Sequence, residues 1–214
     1  AFSDHWLIDA KGQILREATE DCTRRFRGTL RSGLYRPFWE LALRTEALLP
    51  SASLFRRLRL ITTGAMDIQT FAASVPAHYL FGQLALDGDG GAFYVAERLA
   101  YYRVHSQSAT ETVSIEAWRE YQLGCAKLIQ QAPKGQALAL IRENLVQATL
   151  HEGFLLLARN DRSGAMRAFS RGLCSAPFRA KSWIGLLVSF FGIYHWSRAF
   201  HARFRSFLQR LRHE

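Results

Sequence analysis

Residues 97–110 read ERLAYYRVHSQSAT. The apolar and aromatic run that contains them begins near Ala92 and predicts a strand over residues 92–104. That run stops on Arg103 and His105. In an extended chain, residues two apart share a face, so a cation and an imidazole are presented together just before the polar stretch 106–114. A strand ending in this way at a loop is a place to look for ligand chemistry.

Outward from this stretch, the first 110 residues have a mixed texture. Short apolar runs at residues 6–8, 52–60 and 92–104 alternate with helix-like segments at 38–48 and 77–86, which predicts an α/β arrangement. From about residue 115 the period becomes helical. Trp118, Tyr121, Cys125 and Leu128 lie near one face, and Leu138, Ile141, Leu145 and Ala148 continue the pattern after Pro133-Lys134-Gly135. Residues 154–177, with the turn Asn160-Asp-Arg-Ser-Gly164, read as a helical hairpin. A single tetratricopeptide-type copy fits the pattern, but repeat arrays need neighbours, so an ordinary hairpin is the expectation. Three zones result: an α/β part at 1–112, a helical bundle at 113–176 and a basic tail at 177–214.

With 214 residues and 49% apolar composition the chain has the material for a folded core. The net charge of +10 is unevenly placed, because residues 177–214 hold seven Lys/Arg and one acid. The apolar run 183–196 is 14 residues long, short of the roughly 20 that a spanning helix needs. Beyond it, Phe200, Phe204, Phe207, Leu208 and Leu211 recur at helical spacing among Arg198, Arg203, Arg205, Arg210 and Arg212, the pattern of an interfacial membrane helix. The alternative is a core-packing helix with a solvated charged face. No nucleic-acid motif accompanies the charge, so nucleic acid is not an expected partner. Cys22, Cys125 and Cys174 match neither a zinc pattern nor a disulfide framework, which fits a reducing compartment. A cytoplasmic protein, peripheral at the inner face of the membrane, is expected.

Residues able to do chemistry are scattered: Asp4, Asp9, Asp67, His78, Asp87, Asp89, Arg103 and His105. Gly-x-Ser-x-Gly, a phosphate-binding Gly-Lys-Ser/Thr loop and Cys-x-x-Cys are absent. Asp87-Gly-Asp89 looks like a metal-binding Asp-x-Asp, yet inside Leu86-Asp-Gly-Asp-Gly-Gly91 it reads more simply as a turn between helix and strand.

The order of segments carries a resemblance. AFSDHWLIDAKGQIL (1–15), LLPSASLFRRLRLITTGAMD (48–67) and HYLFGQLALDGDGGAFYVAERLAYYRVHSQSAT (78–110) together resemble the second half of a family 2 glycosyltransferase with the GT-A fold. The resemblance covers about residues 1–110. Tyr-Arg-x-His, at residues 102–105, is its most specific motif. It implies that His105 completes the coordination of a divalent cation, Mn2+ or Mg2+, that neutralises charge on a departing nucleoside diphosphate. Arg103 would meet phosphate oxygens. Gly64 falls where the family has a substrate-facing glycine loop, and Ser53, with Ser51 before it, would approach the sugar at the start of a Leu-Phe-Arg-Arg strand.

Two departures accompany the resemblance. No acid occurs between Ile68 and Leu86, where the family carries its catalytic carboxylate. An inverting transfer needs a base for the acceptor hydroxyl, and the remaining candidates are His78 and Asp67, or else a different arrangement or loss of activity. The nucleotide-binding half, which comes first in the family, has no counterpart here, so the chain is expected to be a C-terminal piece of a longer enzyme.

The expected function is sugar transfer from a nucleotide-sugar donor to a hydroxyl of a glycan or lipid-linked acceptor, in polysaccharide or glycan synthesis. The alternative is a catalytically inactive membrane- or partner-binding module derived from such an enzyme.

Overall fold

A computed structural model of the chain describes residues 1–44, 47–63, 76–86, 90–105, 114–177 and 180–191. The chain divides into two compact units, Ala1–Ala148 and Thr149–Glu214. The described residues are mixed α/β, with a small three-stranded mixed sheet and eight α-helices.

The first unit opens with β1 (Phe2–Ile8), α1 (Arg16–Arg27), β2 (Gly33–Tyr35) and α2 (Phe38–Arg44). A 3-10 turn at Pro50–Ala52 leads to α3 (Arg57–Thr62), then α4 (Pro76–Leu86) and β3 (Ala92–Arg103). The strand order is β1-β3-β2, with β1 parallel and β2 antiparallel to β3. The long apolar run at 92–104 thus becomes the strand that both others pair with. Its two ends do different work: Ala92 to Tyr94 pair with β2, and Tyr94 also with Phe2, whereas among the described residues Arg98 to Arg103 pair with β1 alone.

The parallel ladder is not regular. Phe2 pairs with Tyr94 and Ser3 with Val95, but Asp4 pairs with Arg98 and His5 with Ala100. β3 therefore bulges opposite Asp4, which re-aims the side chains that follow. Beneath the amino end of the sheet, Phe2 stacks on Tyr94 at 4.9 Å, and Phe38, Leu41, Ala42, Phe81 and Ala85 complete the core.

The segment expected as a strand at 52–60 is different. Ser53 alone makes a β-bridge, to Phe2, and the chain then turns into α3. Phe55 leaves the sheet direction to pack on Phe81, with ring centroids 5.8 Å apart. The hydroxyls of Thr62 and Thr63 donate to the Arg59 carbonyl and close the helix instead. Leu, Arg and Ile serve a helix as well as a strand, so local pattern does not separate the two here.

α5 (Ile115–Gln131) and α6 (Gln136–Ala158) form where the helical period predicts them. The Ser114 hydroxyl caps α5 by accepting from the Ala117 amide at 3.1 Å. α5 packs on α4, where Gln83 donates to the Gln131 side chain at 2.7 Å, and Leu43, Tyr79, Cys125, Leu128 and Ile141 form a second apolar cluster.

In the second unit, the end of α6 turns through Asn160, at φ 64°, into α7 (Arg162–Ser175). The Asp161 carboxylate caps α7 by accepting from the Gly164 amide at 2.8 Å. α8 (Ala180–Phe191) packs along α7. Phe169 is fully buried at the centre of this unit, edge-on to Phe154, with Gly153 and Gly185 facing its ring. Among the described residues, no helix is long and apolar enough to cross a membrane. The apolar run at 183–196 starts within α8, and residues 192–214, including the arginine-rich tail, lie outside the described residues.

A methyl added at Gly153 would sit 2.7 Å from the Phe169 ring, which has nowhere to go. Gly153→Ala is expected to destabilise the second unit by about 1–3 kcal/mol, read by urea denaturation followed through circular dichroism. Thiol reactivity gives a separate check. Burial pushes the Cys125 thiol up to about 12, whereas Cys174 is exposed. In the native protein Ellman's reagent should titrate Cys174 rapidly and Cys125 only after unfolding.

Candidate functional site

The parallel pairing of β1 and β3 brings two chain segments together at their carboxyl ends. β1 stops at Ile8, opposite Arg103, and the Val104 amide continues the ladder by donating to the Ile8 carbonyl at 2.8 Å. The chain leaving β1 folds into a tight loop. One Asp9 carboxylate oxygen accepts from the amides of Lys11 and Gln13, both at 2.8 Å, and Gly12 takes the left-handed conformation at φ 86° that the turn requires. Ile8 then bridges Ile14, and the Leu15 amide donates to the Leu7 carbonyl, so the loop returns along β1 into α1.

Arg103 locks this loop to the neighbouring strand. Its Nη1 donates to the carbonyls of Asp9 and Ala10, at 3.0 and 2.9 Å. His105 is exposed two residues beyond the strand. Two of the expected site residues therefore share one edge of the sheet with the Asp9 loop. In open α/β sheets, ligands bind beyond the carboxyl ends of parallel strands.

Ser53 is elsewhere. It pairs with Phe2 at the amino end of β1, six residues from Ile8, or roughly 20 Å at the rise of a parallel strand. Its hydroxyl donates to the Leu49 carbonyl at 2.6 Å. Ser53 lines a cleft of about 550 Å³ whose walls include Phe2, Phe38 and Phe81 together with Arg36, Arg56 and Arg59. The structure does not bring Ser53 together with Arg103 and His105. Gly64 and Asp67 lie outside the described residues, as do Asp87 and Asp89. His78 falls in the first turn of α4, and its side chain lies outside what is described.

Behind the carboxyl edge is a buried polar cluster. Asp4 is 2% exposed. Its Oδ1 accepts from the His5 amide at 2.9 Å and pairs with Arg27 at 3.5 Å; its Oδ2 accepts from the Thr23 hydroxyl at 2.7 Å and pairs with Arg98 at 3.5 Å. Arg27, also 2% exposed, comes from the last turn of α1, and Arg98 stacks over the Trp6 ring at 4.4 Å. His5 lies edge-on to Tyr102 and its Nε2 is 4.0 Å from the Cys22 sulfur. Three nitrogens here, His5 Nδ1 and Arg27 Nε and Nη1, are buried without a hydrogen bond in the structure.

Burial first, then the guanidinium of Arg27, pushes His5 down to about 4, although the Asp4 carboxylate pulls the other way. His5 is accordingly neutral near neutral pH. Burial likewise pushes the Cys22 thiol up, against the opposing pull of Arg27. This cluster is poised for structural pairing, not for nucleophilic chemistry. Asp4 stood among the scattered candidates of the sequence; His5, Cys22, Thr23, Arg27 and Arg98 gave no signal of convergence.

Among the described residues, no three His, Cys, Asp or Glu side chains converge on a point that could hold a metal ion. A single imidazole such as His105 needs further donors to hold a metal ion. No family model, curated protein or solved structure matches the chain.

Asp4→Asn would leave Arg27 buried with its charge less compensated, and is expected to cost about 3–5 kcal/mol. Removing both partners in Asp4→Leu with Arg27→Met should recover much of that loss, as measured by a double-mutant cycle in urea. His5 adds a pH dependence. The unfolded chain takes up a proton below pH 6.5 and the folded chain resists until about 4, so stability is lost as pH falls through that window, by roughly 3 kcal/mol. His5→Gln should remove that part of the loss when unfolding free energies at pH 7 and pH 4.5 are compared.

Proposed function

We propose that residues 1–112 carry the C-terminal part of a GT-A-type glycosyltransferase domain, and that the protein takes part in sugar transfer from a nucleotide-sugar donor to an acceptor hydroxyl. The observation that carries this reading is the carboxyl edge of β1 and β3. Arg103 holds the Asp9 loop in place there, and His105 follows on the exposed side of the same edge. This is the position at which α/β sheets present residues to phosphate-bearing ligands, and it joins two of the three segments that carry the sequence resemblance, residues 1–15 and 78–110.

The roles then divide by chemistry. His105 faces the leaving diphosphate, where an imidazole can donate a hydrogen bond or serve a cation. Arg103 sets the shape of the edge by fixing two loop carbonyls, and its charge adds to the field felt by phosphate. The acceptor proton goes to His78, inside the segment where the family places its base, or to Asp67, the nearest acid upstream of it. Ser53 has no role in this site, because it lies at the opposite end of β1.

A second reading has its own observation. No acid occurs between Ile68 and Leu86, so a relic that binds without catalysis accounts for the missing carboxylate.

The test is release of nucleoside diphosphate from a panel of uridine- and guanosine-diphosphate sugars, with and without Mn2+, by the protein expressed from its native start codon. His105→Ala should lower kcat/KM by about 100-fold or more, and the variant at the true base, Asp67→Asn or His78→Ala, by about 100- to 10,000-fold. Wild-type rates in His105→Ala would remove His105 from the site. No turnover of any donor by a folded protein would favour the relic.

A further inference from the structure

The short helix α3 and the residues leading into it are turned outward. Leu54 is 80% exposed, Leu58 71% and Ile61 59%, and α3 has no buried residue. These three aliphatic residues recur at i, i+4 and i+7, and Leu58 and Ile61 share a helix face. Interleaved with them are Arg56, Arg57 and Arg59, all exposed. From Ala47 to Thr63 the chain contains no acid.

Packing to the core does not account for this arrangement. The segment is anchored from behind by Phe55 against Phe81 and by the Leu54 amide, which donates to the Ala1 carbonyl at 2.8 Å. Its outer side is thereby held out as a fixed ridge. Scattered single hydrophobic residues on a surface need no explanation, whereas three large aliphatic residues in register with three arginines make a patch with two chemistries.

We propose that this ridge, built on Leu54, Arg56, Arg57, Leu58 and Ile61, docks the protein on an anionic phospholipid bilayer. The aliphatic side chains project outward beside the arginines, an arrangement suited to entering the headgroup and acyl boundary of a bilayer. The arginines complement lipid phosphates, which their guanidinium groups meet with paired hydrogen bonds. A cleft of about 550 Å³ shares Leu54 and Arg56 with this ridge and has Arg36 and Arg59 in its lining as well. The inference concerns residues 54–61 and not the tail at 177–214, and it stands whether or not the transferase reading does.

The experiment uses the full chain with Cys22→Ser, Cys174→Ser and Leu58→Cys, labelled at residue 58 with a polarity-sensitive fluorophore. Cys125 is buried and stays unlabelled. Vesicles of phosphatidylcholine with phosphatidylglycerol should shift the emission to the blue, and vesicles of phosphatidylcholine alone should not. Arg56→Ala with Arg57→Ala should weaken the partition about 25-fold, near fivefold for each cation lost beside an anionic surface. Leu54→Ser with Ile61→Ser should also weaken it, in both cases with the unfolding midpoint unchanged, since these side chains are exposed.

A label that stays water-like while the chain sediments with anionic vesicles would overturn the proposal and leave attachment to another part of the chain. A label that responds to polyglutamate but not to vesicles would also overturn it, in favour of an acidic protein partner.

Discussion

A carboxylate held out of water between two guanidinium groups is the constraint around which the first unit is organised. Asp4 belongs to β1, Thr23 and Arg27 to α1, and Arg98 to β3, so one side chain ties three elements. Burying an ionised group is costly unless it is paired and hydrogen-bonded, and that demand is met here only if all three elements take their places together. The bulge in β3 is part of the same arrangement. By letting β3 run ahead of β1 opposite Asp4, it puts Arg98 beside the carboxylate and also sets Arg103 opposite Ile8. The register of the carboxyl edge follows from the register at the buried acid.

That edge is correspondingly well defined. The Asp9 loop is closed by its own side chain and held from the next strand by Arg103, so the position of the segment does not depend on a ligand. His105 follows directly from it. The opposite end of β1 has another character, with aromatic walls, arginines and the outward ridge of α3. Two surfaces of unlike chemistry are thus separated by the length of one strand: an edge where Arg103 fixes the Asp9 loop, and a basic apolar face on α3.

Much of the secondary structure was legible because period and caps agree with the packing. The run at 92–104 is a strand, α4 and α5 appear where helical spacing predicts them, and the turn at Asn160 with its Asp161 cap closes the expected hairpin. The segment at 52–60 was not legible. Its Leu and Arg residues suit helix and strand alike, and the deciding contact, Phe55 on Phe81, joins residues 26 apart. Of the candidate residues, Arg103 and His105 could be paired from spacing alone, but their neighbour Asp9 is 94 residues from Arg103. That Ser53 approaches a sugar was an expectation of the resemblance, and the fold puts it at the amino end of β1, away from Arg103 and His105.

Residue order alone was enough for the alternation that makes strands and helices, the basic character, and the Arg-x-His end of the central strand, because these are local properties of spacing and composition. Tertiary structure decided which acids meet which cations, the bulge that sets the register, and which apolar residues remain outside. Those outcomes depend on desolvation and on contacts between distant segments, and a buried charge finds its partners only when the whole unit closes around it.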